Sequence, residues 1–278
     1  MLMDFHLHSN TSSDSHMRIR EAYEKAAELG IRNICITNHH EPSELKIGKT
    51  DSSLLQEKLA AYKAEVEELK KDGRVNIFYG TEVCYTENEE DDIRQFLKEN
   101  DFDFVLCAIH YVNGWIISDP DNRYMIKKED HSKIIKEYFR LLKKAIKTGL
   151  FDVMSHIDLY KRVVPEPDFG AVRKQWEEVA ELLVENDVGF EINTGYSIIV
   201  PDGTYPGIDV IKIMLEKGVK IVTMGSDAHL TEDVGRGLAK VEKMLDKFGV
   251  EMIYRFEKRK PIPINITASK IKVLEIVK

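Results

Sequence analysis

The segment that decides the fold is "MDFHLHSN", residues 3–10. It has the pattern of a short β-strand that begins with apolar residues and ends with two imidazoles, His6 and His8. Alternate residues of a strand point to the same side, so these two side chains can reach one common ion. Asp14 follows a few residues later. A strand end of this composition predicts a polar site. The ends of the other predicted strands show whether they contribute residues to the same site.

The composition limits the class of protein. The chain has 278 residues, 43% of them hydrophobic, which is within the range of one α/β barrel with a large core. Its net charge of −8 makes nucleic acid an unlikely partner and gives no basic surface for an anionic membrane. No apolar run approaches the roughly 18 residues of a membrane span, and the N-terminus lacks a secretion pattern. We therefore expect a cytoplasmic protein, in which the three unpaired cysteines are buried, reduced thiols.

Seven short apolar runs with strand character alternate with segments of helical periodicity. The runs lie at residues 2–8, 33–38, 76–83, 104–110, 152–157, 189–194 and 220–229. Glycines stand where helix C-caps are expected, at Gly30, Gly149 and Gly218. This alternation predicts parallel strands covered by helices. Since no linker interrupts the pattern, we expect one domain over residues 1–278 that forms a closed or nearly closed barrel, with about 250–278 as a C-terminal appendage of unpredicted packing.

Most of these runs end in metal-binding residue types. The set is His6, His8, Asp14, His39, Glu82, His110, His156, Asp227 and His229. The sixth run differs, because it carries Glu191 and Asn193 instead of an imidazole. In a parallel barrel all of these ends open on one face, where active sites are assembled. The nine side chains are therefore expected to converge.

A single histidine in an apolar strand is most often an ordinary core or loop residue. Six strand ends that each deliver histidine, aspartate or glutamate are a different case, because burying so many polar groups together would cost several kcal/mol each. Divalent cations remove that cost, since neutral imidazole and carboxylate are their ligands. At about three or four ligands per ion, nine side chains predict two or three ions. Zinc, iron and manganese suit this donor set equally well.

Several segments resemble the PHP (polymerase and histidinol phosphatase) family, specifically its histidinol-phosphatase branch. They are "HLHSNTSSD", "TNHHE", "GTEV", "AIHYVNGW", "SHIDLYKR", "EINTG" and "GSDAH", in family order over about residues 3–240. The resemblance implies an α/β fold, a distorted (β/α)7 barrel with its metal site at the C-terminal ends of the strands. It also implies a centre of three zinc, manganese or iron ions.

The resemblance also groups the ligands by ion. It implies that one ion is held by His6, His8, Glu82 and Asp227, a second by Glu82, His110 and His156, and a third by Asp14, His39 and His229. The chain departs from the family in three places. The second strand ends "TNH" with Asn38 where the family has aspartate, "GYSIIVPDG" lacks an arginine that usually follows "EINT", and His16 and His40 are additional. We interpret these two histidines as ordinary loop residues.

The reaction implied is hydrolysis of a phosphomonoester by a metal-activated hydroxide, without a phospho-enzyme. Within the branch this is histidinol-phosphatase, which converts L-histidinol phosphate and water into L-histidinol and phosphate in histidine biosynthesis. The partner would be a small phosphorylated metabolite. Two alternatives remain: a phosphoesterase acting on nucleotide phosphates, phosphotyrosine or oligonucleotides, and a non-catalytic metal-binding domain. The sequence does not indicate the oligomeric state.

Contacts to the substrate are expected beside the fifth strand. Arg162 and Lys161 follow it directly, and the two-donor fork of arginine makes Arg162 the preferred phosphate contact. The proton for the leaving alkoxide would come from Asp227, His229 or a metal-bound water. Trp115, in the loop after the fourth strand, is a candidate apolar wall of the substrate site, with Asp119 opposite a substrate cation.

Overall fold

The structure is a computed structural model that describes residues 1–41, 52–164, 168–195 and 203–266. Its strands are β1 (Met3–Leu7), β2 (Asn33–Ile36), β3 (His39–His40), β4 (Asn76–Cys84), β5 (Phe104–Ala108), β6 (Tyr111–Val112), β7 (Trp115–Ile116), β8 (Val153–Met154), β9 (Gly189–Asn193), β10 (Val222–Gly225), β11 (Met252–Glu257) and β12 (Lys260–Asn265). Its α-helices are α1 (Ile19–Glu28), α2 (Ser52–Leu69), α3 (Glu90–Glu99), α4 (His131–Lys147), α5 (Phe169–Glu185), α6 (Ile208–Glu216) and α7 (Leu238–Lys247). Short 3₁₀ turns include Pro120–Tyr124 and Leu159–Arg162.

Seven parallel strands form the barrel in the order β1-β2-β4-β5-β8-β9-β10. Each is followed along the chain by one of the helices α1 to α7. The predicted (β/α)7 barrel is therefore confirmed, and each of the seven predicted runs contains one barrel strand. The three predicted C-cap glycines have φ of +67°, +67° and +87° after α1, α4 and α6.

The barrel closes only at its carboxyl end. Leu7 forms a parallel bridge with Ala228, just beyond β10. The His8 amide donates to the Ala228 carbonyl and the Asp227 amide to the His6 carbonyl, both at 2.9 Å. The pairing of β1 with β2 shifts register between Asp4 and Leu7, so β1 is irregular where it carries His6. Closure brings the first and last barrel strands together at the end where the polar residues lie.

Phenylalanine rings fill the opposite, amino-terminal end of the barrel. Phe5 packs against Phe78 and Phe104, with ring centroids 5.4 and 5.3 Å apart. Phe256 of β11 extends this cluster, at 4.9 Å from Phe104. The barrel thus has an apolar end and a polar end. In the described part of the chain no helix has the length and apolar composition to cross a membrane, and Cys35, Cys84 and Cys107 are free and buried as predicted.

The C-terminal appendage includes an antiparallel hairpin of β11 and β12. Its turn docks on the amino end of the barrel: the Lys258 amide donates to Asp103 Oδ1 at 3.1 Å, and Arg259 Nε to Asp152 Oδ2 at 2.6 Å. Lys258 and Arg259 have φ of +50° and +63°, the left-handed conformation of a tight hairpin turn. Residues 267–278 lie outside the described residues.

We expect the hairpin to stabilise the barrel. Phe256→Ala should lower the free energy of unfolding by about 3–5 kcal/mol, because it removes a ring that is 2% exposed and packed on Phe104. Urea denaturation at a fixed metal concentration measures the change. Met252→Ala, at a position that is 37% exposed in the same hairpin, is the matched control and should change stability by less than about 0.5 kcal/mol. Equal midpoints for both variants would contradict a stabilising role.

Candidate metal centre

Imidazole and carboxylate side chains meet in three groups at the carboxyl end of the barrel. The first group comes from β1, β4 and the segment after β10, and its members are His6, His8, Glu82 and Asp227. The second group contains Glu82 with His110 and His156. The third group is Asp14, His39 and His229. The structure brings all nine predicted side chains together at this end of the barrel. Two further clusters overlap the three groups: His8 with His39 and His229, and Glu41 with His39 and His110.

The first group is compact. His6 Nε2 and His8 Nε2 lie 2.9 Å apart. Asp227 Oδ1 lies 3.5 Å from the former nitrogen and 3.2 Å from the latter. Glu82 Oε2 completes the group at 3.5 and 3.7 Å from the same two nitrogens. His6, His8 and Asp227 therefore lie close enough to share one ion, with Glu82 next to both imidazoles.

The other two groups adjoin the first, since the second shares Glu82 with it and the His39 and His229 rings of the third stack on the His8 ring at 4.2 Å. In the second, Glu82 Oε1 is 2.8 Å from His156 Nε2 and 3.9 Å from His110 Nε2. In the third, Asp14 Oδ2 is 3.2 Å from His39 Nε2 and 3.1 Å from His229 Nε2. The Asp14 side chain is 50% exposed whereas that of Glu82 is 1% exposed, so the third group faces the solvent.

Neighbouring oxygens orient three of the rings. His6 Nδ1 lies 2.7 Å from Glu191 Oε1, and His110 Nδ1 lies 2.7 Å from Glu41 Oε1. His229 Nδ1 lies 2.9 Å from the Asp227 carbonyl oxygen. These oxygens accept, so in the neutral ring Nδ1 carries the proton and Nε2 directs its lone pair into the group. This is the arrangement by which proteins fix the tautomer of a metal-binding histidine.

The donor atoms fit divalent cations. His8 Nδ1 and His156 Nδ1 are buried and make no hydrogen bond to any described residue. His6 Nε2 and His8 Nε2 face each other at 2.9 Å, next to two carboxylates. These four side chains together offer more lone pairs than they have protons to share between them. A divalent ion accepts those lone pairs, and imidazole with carboxylate is a donor set that Zn, Mn and Fe all take.

The charges of the groups are strongly coupled. Burial by itself would raise the pKa of Glu82, but the imidazoles around it, that of His6 first, hold it well below the usual range. Burial would lower the pKa of His6, but nearby carboxylates, Glu191 first, raise it well above the usual range. Burial and the His39 imidazole lower the pKa of His8 to about 3. Glu82 is therefore ionised and His8 neutral at pH 7, the forms that bind a metal ion, whereas His6 would release a proton when an ion binds.

Backbone conformation turns two of the side chains into the site. His156 and Asp227 have φ of +25° and +57°, a region that costs a non-glycine residue about 1–3 kcal/mol. Asp227 lies just beyond β10, and its Oδ1 is 3.2 Å from His8 Nε2 in the first group and 3.8 Å from His229 Nδ1 in the third. Gly225 is needed for close approach, because a Cβ there would lie 2.3 Å from His6 Cβ.

The Asn38 side chain positions a loop, and in the described part of the chain its hydrogen bonds go to Ser9 and Ser12 rather than to the three groups. Its Oδ1 accepts from the Ser9 amide at 2.7 Å and from Ser12 Oγ at 3.2 Å. Ser12 Oγ in turn accepts from the His39 amide at 3.0 Å. Asn38 therefore fixes the loop that leads from His8 to Asp14.

The two additional histidines lie apart from the groups. His16 is exposed. The His40 ring stacks on Phe96, with centroids 3.5 Å apart. His16 is thus an ordinary loop residue as interpreted, whereas His40 is buried in the short strand β3 and is not a loop residue.

A cavity of about 210 Å³ opens beside the groups. Its wall outside them includes Arg162, Ser118 and Asp119. Lys161 and Trp115 are absent from the wall formed by the described residues. Lys161 Nζ instead donates to the buried Asp158 at 3.0 Å, and Trp115 packs against the hydrophobic core. Of the predicted substrate contacts, the structure thus favours Arg162, because the short 3₁₀ turn directs Lys161 away.

Sequence reasoning assigned no role to two carboxylates, the buried Glu191 and the half-buried Glu41. Glu191 holds His6 Nδ1 and also accepts from the His156 amide at 3.1 Å. Glu41 holds His110 Nδ1 and accepts from the Tyr111 hydroxyl at 2.8 Å. A signal existed for both: Glu191 is a carboxylate at the end of a predicted strand, and Glu41 follows "NHH" directly.

The comparisons with known proteins agree with this geometry. Residues 4–195 match the model of the PHP domain family. The chain therefore belongs to the PHP domain family.

Its curated relatives carry one activity in their names. The chain is 26% identical to a probable histidinol-phosphatase of Deinococcus radiodurans, over 94% of this chain and 99% of that one. It is 24% identical to the histidinol-phosphatase of Lactococcus lactis, over 91% and 94% of the two chains.

Solved structures share the fold. The crystal structure of the Lactococcus lactis histidinol phosphate phosphatase, complexed with Zn, L-histidinol and phosphate, superposes with a TM-score of 0.79 at 22% identity, over 94% of this chain and 98% of that one. A histidinol phosphatase from Listeria monocytogenes gives a TM-score of 0.71 at 22% identity, over 86% and 99%.

The Glu191 carboxylate should control metal affinity without binding an ion. Glu191→Gln keeps the shape of the side chain but removes the charge that orients and polarises His6. We expect affinity for Zn²⁺ to fall about 10–100-fold, as measured by competition with a calibrated chelator. Glu185→Gln, on the exposed end of α5, is the matched control. Unchanged affinity in Glu191→Gln would show that this carboxylate serves packing alone.

Proposed function

We propose that the protein is a metal-dependent phosphatase that hydrolyses L-histidinol phosphate to L-histidinol and phosphate. The observation that carries this proposal is the set of three imidazole and carboxylate groups beside Arg162 in one cavity. Similarity over about nine-tenths of the chain to relatives named histidinol-phosphatase supports the substrate.

In this proposal two or three Zn, Mn or Fe ions are held by the nine side chains, and Glu82 is shared by the first and second groups. His6, His8 and Asp227 complete the first set, His110 and His156 the second, and Asp14, His39 and His229 the third. Glu41 and Glu191 hold His110 and His6 in the orientation that presents Nε2. The bound ions supply the positive charge that activates water and stabilises the negative charge of the phosphate.

Residues of the cavity wall would bind the substrate and protonate the leaving group. Arg162 offers guanidinium donors to phosphate oxygens. Asp227 and His229 are the candidates that transfer a proton to the leaving alkoxide, and both line the cavity. Asp119, an exposed carboxylate on the same wall, is the candidate partner for the positive charge of the substrate.

The size of the cavity favours a small metabolite over a polymer. A volume of about 210 Å³ suits a phosphorylated amino alcohol, and the net charge of −8 disfavours a long nucleic acid. An enzyme of amino-acid biosynthesis would act in the cytoplasm, where its substrate is produced.

A substrate panel tests the activity directly. Phosphate release by the metal-loaded protein should be far faster with L-histidinol phosphate than with nucleoside monophosphates, phosphotyrosine or 4-nitrophenyl phosphate. Asp119→Asn should lower kcat/KM for L-histidinol phosphate and leave that for 4-nitrophenyl phosphate unchanged, because 4-nitrophenyl phosphate carries no cationic group. A higher kcat/KM for another member of the panel would move the proposal to that substrate, and no release from any of them would favour a binding domain.

Arg162→Ala should lower kcat/KM for L-histidinol phosphate about tenfold or more, because phosphate loses a charged donor pair. Metal content should not change, since Arg162 contacts none of the nine side chains in the hydrogen bonds and ion pairs of the structure. Steady-state kinetics with metal analysis measure both effects. Arg173→Ala, on the exposed face of α5, is the control. Wild-type kinetics in Arg162→Ala would remove Arg162 from the site.

A further inference from the structure

Arg162 is held in the cavity wall by two oxygens that carry no formal charge. Its Nε donates to the Tyr205 hydroxyl at 3.1 Å, and its Nη1 donates to the Ser118 carbonyl at 2.7 Å. The remaining nitrogen, Nη2, makes no hydrogen bond to a described residue. Since neither acceptor carries a negative charge, neither offsets the positive charge of the guanidinium, which is available to an anion in the cavity.

The Tyr205 hydroxyl is itself fixed relative to the barrel. The residue is 0% exposed, and its backbone pairs with Asn193 at the end of β9, with N–H···O distances of 2.7 and 2.8 Å. Its ring lies 4.5 Å from Lys161 Nζ and 5.5 Å from the Arg162 guanidinium carbon. The ring also meets the His156 ring edge-on at a centroid distance of 6.3 Å. One buried side chain thus links Arg162 to a strand end and to an imidazole of the second group.

Few basic side chains are available to bind phosphate in this cavity. The segment "GYSIIVPDG", residues 195–203, contains no arginine or lysine. Lys161 is paired with Asp158 and with the Thr204 carbonyl. Arg162 is therefore the one arginine or lysine side chain on the described cavity wall, and its orientation decides how well phosphate binds.

We infer that Tyr205 is a positioning residue for phosphate recognition, which holds the Arg162 guanidinium toward the cavity through its hydroxyl. The inference rests on the proposed phosphatase function. Tyr205 contacts neither substrate nor ion in this account, and it acts only through Arg162. Without the hydroxyl, the long and flexible Arg162 side chain loses one of its two hydrogen bonds. Phosphate binding must then order this side chain, which lowers the affinity.

Tyr205→Phe tests the inference, because it removes the hydroxyl and keeps the ring. We expect KM for L-histidinol phosphate and the dissociation constant of inorganic phosphate to rise about tenfold, with kcat nearly unchanged, since ground-state and transition-state phosphate lose the same contact. Metal content should equal that of the wild type. Kinetics and calorimetric titration of the metal-loaded protein with phosphate provide the two readouts.

Tyr62→Phe is the matched control. Its hydroxyl is also buried and bonded, to the Ile36 carbonyl at 2.6 Å, but it lies away from the cavity wall. This variant should lower thermal stability and leave KM and phosphate affinity unchanged. A rise of KM in both variants would assign the effect to general loosening of the fold and overturn the inference.

A double-mutant cycle separates positioning from a direct role. In the Arg162→Ala background, Tyr205→Phe should have no further effect on KM or phosphate affinity, because the group that it positions is absent. Additive effects, or wild-type phosphate affinity in Tyr205→Phe alone, would overturn the inference while leaving the phosphatase activity intact. Wild-type protein that neither binds phosphate nor hydrolyses any phosphomonoester would instead refute the proposed function, and this inference with it.

Discussion

The structure depends on the Glu82 carboxylate, a negative charge that is 1% exposed at the centre of the barrel. One of its oxygens faces His6 and His8, and the other faces His156 at 2.8 Å. Burying an ionised carboxylate costs several kcal/mol unless cationic or hydrogen-bonding partners compensate. Protonated His6 and the Ser155 hydroxyl, which donates to Glu82 Oε1 at 2.8 Å, offset part of this cost, but burial opposes protonation of His8, which faces the same carboxylate. Divalent ions resolve this conflict, which is why the other eight side chains surround this one.

The barrel supplies what such a site requires. Parallel strands bring residues that are distant in sequence to one rim, and the bridge between Leu7 and Ala228 closes that rim beside His6 and His8. Gly225 removes the side chain that would collide with His6. The phenylalanine cluster occupies the opposite end, so hydrophobic packing and polar chemistry do not compete for the same space. The phenylalanine cluster and the polar groups therefore lie at opposite ends of the barrel.

The sequence predicted most of the fold and the convergence of the nine side chains. Each of these residues lies near or after the end of a strand, and strand periodicity is strong in this chain. What it missed depends on contacts between distant segments. Lys161 and Arg162 are adjacent and both basic, and only the geometry of the 3₁₀ turn shows that Lys161 pairs with Asp158 while Arg162 faces the cavity. The hairpin was not predicted, because "EKRK" contains no residue that favours positive φ.

The same limitation applies to the residues that orient the site. Glu41, Glu191 and Tyr205 are remote in sequence from the rings and the guanidinium that they hold, and their types alone do not indicate a partner. A carboxylate next to a metal-binding histidine is a common arrangement. Carboxylates at strand ends that contribute no metal-binding residue are therefore candidates for this role. Tyr205 had no such signal, since its partner lies 43 residues away.

The most direct test of the account is an anomalous difference map from crystals of the protein grown with zinc and recorded at the zinc absorption edge. The account predicts two or three peaks inside the barrel rim, each about 2.0–2.2 Å from the donor atoms of one group, with Glu82 between the first two. Peaks confined to the protein surface, or no peak near Glu82, would contradict it.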